Sequence, residues 1–234
     1  MRWIRKPDSR LLLVLCVALH PVAKPHAQSP QAPPAPAPHF LVLIDAAHGG
    51  NDPGARIDSS TIEKNINLAL SVRLRSLLAA RGIEVATTRE ADKDLDANQR
   101  AELANRAAPS ACIILHATAS GTGIHLFLSS LSPAQAPALA SWKSAQAPFI
   151  RQSASLAATV NSALRQAAIP VTLARTSLPG LDSMACPAIA VELATPAAEE
   201  GKSAPALTDP DYQAHITDLL ATALITWRAE AHRP

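Results

Sequence analysis

Phe40-Leu41-Val42-Leu43-Ile44-Asp45 is an unbroken apolar run ending on an acid, and Ala46-Ala47-His48-Gly49-Gly50 follows it directly. A strand with one wet face would alternate apolar and polar residues. This run does not alternate, and it predicts a strand buried on both faces. Such a strand needs helices on both sides of its sheet, and the downstream pattern supplies them. Residues 63–81 carry Ile66, Leu70, Leu74, Leu77 and Leu78 at helical spacing, and Gly82 stands where a helix C-terminal glycine belongs. Ile83 to Thr88 reads as the next strand. Residues 97–107 read as a short helix, opened by Asp96 and Gln99 at capping-box spacing. Cys112 to His116 and Ile124 to Ser129 read as strands. A helix from about Ile150 to Ala168 is stopped by Pro170. Pro187 to Leu193 is another apolar strand. The last helix opens at Asp209-Pro210, with Ile216, Leu219, Leu220, Ala223 and Trp227 on its apolar face. This alternation predicts an α/β fold: a single domain over residues 40–230, built on a mostly parallel twisted sheet with helices on both faces.

The 234-residue chain is long enough for one sizeable core, and its composition says what fills it. Hydrophobic residues make up 48% and aromatics 3%, so Ala, Leu, Ile and Val must do the packing. The first residues read differently. Arg2, Arg5, Lys6 and Arg10 form a basic head before a short apolar run, Leu11 to Leu19, and His-Ala-Gln-Ser follows. This is the pattern of an export signal over residues 1–27, cleaved after Ala27; the alternative is an uncleaved membrane anchor. Residues 28–39, with five prolines between Pro30 and Pro38, read as an extended linker.

Export changes the charge argument. The formal net charge is +2, but residues 1–27 hold five basic residues and one acid, and without them the balance is −2. No basic stripe remains, and nucleic acid is not expected as a partner. Beyond the leader two cysteines are left, Cys112 and Cys186. An oxidising compartment permits them to pair. Both lie in apolar runs, and two buried free thiols are the preferred reading.

Ligands of such sheets sit at the carboxyl ends of the strands. His48 follows the first strand, His116 ends the third, Glu192 lies near the end of the Pro187 strand, and Glu63 opens the first helix. Two imidazoles and a carboxylate suit a catalytic Zn²⁺ that keeps a position open for water. A further carboxylate outside the metal set is needed to move protons. His48, Glu63 and His116 fit the first role and Glu192 the second. Taken singly, each has a plainer reading. Ser60-Thr61-Ile62-Glu63 is also a capping box, His48 a polar turn residue, and His116 a hydrogen-bonded strand end. Glu192 in an apolar run is harder to explain away, because burying a carboxylate is costly unless it is paired or functional. His125 is read as a solvent-facing strand residue in preference to a site residue. Arg89, Arg100 and Asp92 are read as an ion-pair scaffold for the loops.

Taken together, these stretches resemble the zinc-dependent N-acetylmuramoyl-L-alanine amidases of bacterial cell walls. The resemblance rests on Asp45-Ala46-Ala47-His48-Gly49-Gly50-Asn51-Asp52-Pro53-Gly54, then Glu63-Lys64-Asn65-Ile66-Asn67-Leu68 and Thr88-Arg89-Glu90-Ala91-Asp92. It continues through Arg100 to Asn105, the strand ending at His116, Gly123 to Leu128, and Pro187 to Glu192. These matches run in order over about residues 40–225. The resemblance implies His48, Glu63 and His116 as Zn²⁺ ligands and Glu192 as the catalytic carboxylate. It implies peptidoglycan as substrate and a place in the periplasm or outside the cell. A monomer is expected, and no activator can be named. The chain departs from the pattern at Ala47 (usually Gly, so a Cβ is expected to crowd the turn before His48), at Leu115 and Thr118, and at Leu193-Ala194-Thr195 after Glu192. Two rivals remain: a wall-binding module of the same fold with weakened turnover, and a zinc carboxypeptidase. A serine hydrolase is not expected, since no Gly-x-Ser-x-Gly elbow occurs.

Overall fold

The computed structural model describes residues 40–133, 142–196 and 203–231. The expected export signal and linker lie outside these residues. Among the described residues, six strands form one sheet, and five α-helices cover it. In chain order the elements are β1 (Leu41–Ala46), α1 (Glu63–Ala80), β2 (Glu84–Thr87), α2 (Ala97–Ala107), β3 (Ala111–Ala117) and β4 (Ile124–Ser129). They continue as α3 (Ile150–Gln166), β5 (Val171–Thr176), α4 (Pro179–Asp182), β6 (Ala188–Leu193) and α5 (Pro210–Ala231). The sheet order is β2-β1-β3-β6-β4-β5. Four of its pairings are parallel, and only β4–β6 is antiparallel.

The central strands sort their side chains by alternation. Val42 and Ile44 of β1, Ile113 and Leu115 of β3, and Ile189 and Val191 of β6 face α1, α3 and α5 in one core. Leu43, Cys112, Ile114, Ala188 and Ala190 face the other way, toward α2 and α4. The two-sided burial expected from the β1 run is thus present. On α1, the buried stripe is Ile66, Leu70, Leu74 and Leu78, each at most 1% exposed. Burying side chains of this size contributes about 1.5–3 kcal/mol apiece. Gly82 closes the helix as expected: its φ is 73°, its N–H reaches Ala79 O, and that of Ile83 reaches Leu78 O. Asp96 and Gln99 form the full capping box on α2. Asp209 caps α5 by accepting from the N–H groups of Asp211 and Tyr212. α3 stops ahead of Pro170 through Ala168, whose φ is 59°.

Two expectations need correction. β5 was not expected. Among the described residues it is an edge strand paired only with β4, and Val171-Thr172-Leu173-Ala174-Arg175-Thr176 has too mixed a pattern to mark a buried strand. The cysteines are not free thiols either. Cys112 and Cys186 form a disulfide with a Cα–Cα distance of 6.3 Å. The cause is strand adjacency. β3 and β6 are parallel neighbours, Cys112 N–H donates to Pro187 O at 2.8 Å, and Cys186 immediately precedes that residue.

Candidate metal centre and active site

The loop after β1 turns sharply. His48 has a φ of 62°, a left-handed conformation uncommon for a residue with a Cβ, and such strain is often found where a side chain must be aimed. Ala47 remains outside the left-handed region and is buried against the α2 side of the sheet, so its Cβ does not crowd the turn. The turn is anchored from beneath. Arg100, on α2, donates to Asp45 Oδ1 at 2.6 Å, Ala46 O at 2.8 Å and His48 O at 2.6 Å. Arg89 donates to Ala46 O at 2.8 Å and to Lys64 O at 2.8 Å. Asp92 accepts from Gly50 N–H and from Lys64 Nζ, both at 2.7 Å. These three residues touch the backbone and ion pairs of the loops, and none belongs to the cluster they surround.

Glu63 does not cap its helix. The N-cap of α1 is Ile62, which makes no side-chain cap bond, and Asp58 gathers the N–H groups of Ser60 and Thr61 instead. The buried Glu63 carboxylate points at two imidazoles. Oε1 lies 2.8 Å from His116 Nδ1, and Oε2 lies 3.2 Å from His48 Nε2. Backbone N–H groups hold both oxygens, Ala117 at 3.1 Å on Oε1 and Ala55 at 2.8 Å on Oε2, and Asn67 Nδ2 adds a 3.3 Å contact to Oε1. Burial works to raise the pKa of Glu63. The hydrogen bonds from His116, His48 and Ala55 outweigh it and hold the acid well below the ordinary carboxylate range.

One nitrogen or oxygen from each of His48, Glu63 and His116 lies within 4.8 Å of the others, a spacing that suits a single metal ion. The donor set fits. His48 Nδ1 lies 2.7 Å from Asp52 Oδ2, and because an ionised carboxylate only accepts, that bond keeps a proton on Nδ1, so that loss of the Nε2 proton now shared with Glu63 would free Nε2 for a metal. Asp52 is fixed in turn by Gly54 N–H at 3.0 Å. Gly54 has a φ of 67°, and a Cβ there would come within 2.6 Å of Glu63 Oε2 and 2.7 Å of His48 Cδ2. Only glycine lets the loop pass this close to the cluster.

Glu192 stands beside the cluster. The β3–β6 register pairs it with His116, and the β4–β6 register pairs it with His125. His116, Glu192 and His125 therefore form one row across three strands, on the face that carries α2 and α4. A cavity of about 290 Å³ opens against this face, lined by His48, Asp52 and His116 together with Ala97, Ile114 and Leu178. Glu192 lies outside that lining. Its Oε2 is bonded to His125 Nδ1 at 2.7 Å. His125 is thus not a solvent-facing strand residue. Its sequence signal was weak: alternation sets it opposite Ile124 and Leu126, but nothing local shows that β4 runs antiparallel beside β6. Asp52 was likewise visible in the motif without an assigned role.

Comparison with known proteins agrees with this geometry. Residues 42–226 match the family model described as N-acetylmuramoyl-L-alanine amidase. The chain is 32% identical over 77 residues to the N-acetylmuramoyl-L-alanine amidase AmiA of Escherichia coli (strain K12), covering 33% of this chain and 27% of that protein. It is 31% identical over 93 residues to the germination-specific N-acetylmuramoyl-L-alanine amidase of Bacillus subtilis (strain 168), covering 34% of this chain and 39% of the relative. The chain thus spans well under half of these curated relatives. The solved catalytic domain of CwlV, an N-acetylmuramoyl-L-alanine amidase from Bacillus (Paenibacillus) polymyxa, superposes with a TM-score of 0.64 at 23% identity, over 81% of this chain and 98% of that one. This last likeness speaks for the fold. Because the family match runs from within β1 to within α5 and takes in all of the strands and loops that build the cluster, the chain belongs to the N-acetylmuramoyl-L-alanine amidase family.

Proposed function

We propose that the protein is an exported Zn²⁺ enzyme that hydrolyses the amide bond between N-acetylmuramic acid and L-alanine in peptidoglycan. The observation that carries this reading is the convergence of His48, Glu63 and His116 within 4.8 Å at the carboxyl edge of the sheet, with Glu192 next to His116 in the same row. Zn²⁺ held there would lower the pKa of a water molecule and polarise the scissile carbonyl.

The chain's own residues account for the rest. Asp52 sets the tautomer of His48. Asn67 and the N–H groups of Ala55 and Ala117 hold Glu63 ionised and oriented. Glu192 accepts a proton from the attacking water and returns it to the departing amine nitrogen. The Cys112–Cys186 disulfide supports an oxidising compartment, in line with the basic-apolar leader. Among the described residues no helix is long and apolar enough to cross a membrane.

The test is digestion of purified peptidoglycan, with the products identified by mass. Release of stem peptide with a free L-alanine amine is expected, together with one zinc per chain and loss of activity on chelation. Glu192→Gln should keep zinc and lose most turnover. Bound zinc without any released peptide would favour a wall-binding module instead, and release of a terminal amino acid would favour a carboxypeptidase.

A further inference from the structure

We infer that His125 is a positioning residue that acts through Glu192, aiming the carboxylate for proton transfer; this rests on the reading of Glu192 as the proton-moving group. The two residues are direct partners in the antiparallel β4–β6 pair, the one place in the sheet where strands of opposite direction set side chains face to face at close range. His125 Nδ1 and Glu192 Oε2 are 2.7 Å apart, with the side chains 16% and 24% exposed. An ionised carboxylate accepts only, so Nδ1 carries the proton and donates it. Among the described residues, His125 is the hydrogen-bond partner of Glu192. With Oε2 held, Oε1 keeps its lone pairs for the reaction.

The imidazole is itself held. Gly121, at a φ of 78°, passes so close that a Cβ there would lie 2.7 Å from both Cε1 and Nε2 of the ring. Phe127, two residues on in β4, meets the ring edge-on, with ring centroids 6.3 Å apart. A ring packed in this way has one orientation, and it fixes the carboxylate in one rotamer. Strand position alone would not do so. A Glu side chain has three rotatable bonds, and it would otherwise sample several staggered states beside His116. Reacting groups misplaced by about 1 Å lose on the order of 100-fold in rate, and this sets the scale of the effect.

The experiment compares the zinc-loaded full chain with His125→Phe, which keeps a ring against Gly121 and Phe127 but has no donor, and with His125→Asn, whose amide Nδ2 stands where Nδ1 was. Glu192→Gln and the double variant Glu192→Gln/His125→Phe complete a cycle. Turnover is measured on a soluble muramyl peptide, with zinc content and melting temperature determined for each protein. His125→Phe should lower kcat by roughly 10- to 100-fold with KM and zinc content unchanged. His125→Asn should recover most of the loss, and His125→Phe should cost nothing further once Glu192 is Gln. The inference is overturned if His125→Phe keeps full kcat, if His125→Asn is as slow as His125→Phe, or if the loss repeats in full in the Glu192→Gln background. If His125→Phe loses zinc or fails to fold, His125→Leu takes its place in the same comparison. Full activity of Glu192→Gln would instead overturn the role of Glu192 itself, a separate result from full activity of His125→Phe alone.

Discussion

His116 Nδ1 sits 2.8 Å from Glu63 Oε1 although the two residues are 53 positions apart, one near the end of β3 and the other at the first position of α1. The helix starts where the carboxylate is needed, and the strand ends where the imidazole is needed. Neither residue holds the other in place alone, since Glu63 also accepts from two backbone N–H groups of separate segments. The cluster is therefore pre-formed by the fold.

Proton competition at this cluster has a definite sign. The pKa of His48 is raised above the ordinary imidazole value, first by its hydrogen bond to Glu63, against burial, and then by Asp52. Protons thus stay on the ring up to a higher pH than on a free imidazole, and a metal held through Nε2 would compete with them. Metal affinity should be full above that raised value and fall as the pH drops through it. Competition titration with a chromophoric chelator between roughly pH 5 and 8 would show the fall. Asp52→Asn removes one raising cause, so its fall should begin at lower pH. An onset that does not move would contradict the Asp52–His48 link.

Arg100 and Asp45 form a buried ion pair, at 7% and 3% side-chain exposure. Among the described residues, Arg100→Met leaves the Asp45 charge in the core with the Thr88 hydroxyl as its hydrogen-bond partner, and it strips the donor from the His48 carbonyl while Ala46 O keeps Arg89 Nε. Removing one member of such a pair costs about 3–5 kcal/mol. Urea unfolding should show a loss of that order, and Arg100→Lys should not recover it, because a single ammonium cannot reproduce the fork that reaches three oxygens. A loss under 1 kcal/mol would show that the network is dispensable.

The disulfide links β3, which carries His116, to the segment leading into β6, which carries Glu192. It joins residues 74 positions apart, and closing a loop of that length in the unfolded chain is worth about 4 kcal/mol. The paired variant Cys112→Ala/Cys186→Ala should unfold at markedly lower urea concentration than the oxidised protein. Equal midpoints with and without reductant would mean that the bond does not form in the purified protein.

Much of this architecture was legible in single stretches of sequence. The β1 run, the α1 stripe and the Asp96 cap each act locally, and each was found at its expected place. The proximity of His48, Glu63 and His116 was legible because strand ends in an α/β sheet share one edge, so order along the chain implied it. What could not be read depended on which strands lie side by side. Cys112 meets Cys186 and Glu192 meets His125 only because β6 lies between β3 and β4, an arrangement no local pattern encodes. β5 was lost for a related reason: an edge strand is not obliged to be apolar. Ala47 was misjudged because the left-handed step of the turn falls one residue later, on His48.

Gly54 offers a test of the pre-formed cluster that leaves all of its polar groups in place. Its Cβ in Gly54→Ala would fall 2.6 Å from Glu63 Oε2, 2.7 Å from His48 Cδ2 and 2.9 Å from Glu63 Cβ. Glu63 is buried and held by backbone N–H groups from two sides, so it has little room to retreat. The φ of 67° adds about 1 kcal/mol or more of backbone strain for any residue with a Cβ. The loop must move, and with it Asp52, whose carboxylate accepts from Gly54 N–H. The expected outcome is a fall of at least 10-fold in zinc affinity, of the size seen when partners that orient metal ligands are removed, while far-UV circular dichroism stays unchanged. The core that sets the helices and sheet lies away from this loop, so folding and metal binding should separate. If Gly54→Ala binds zinc as tightly as the parent, the close approach of the loop is not what shapes the cluster.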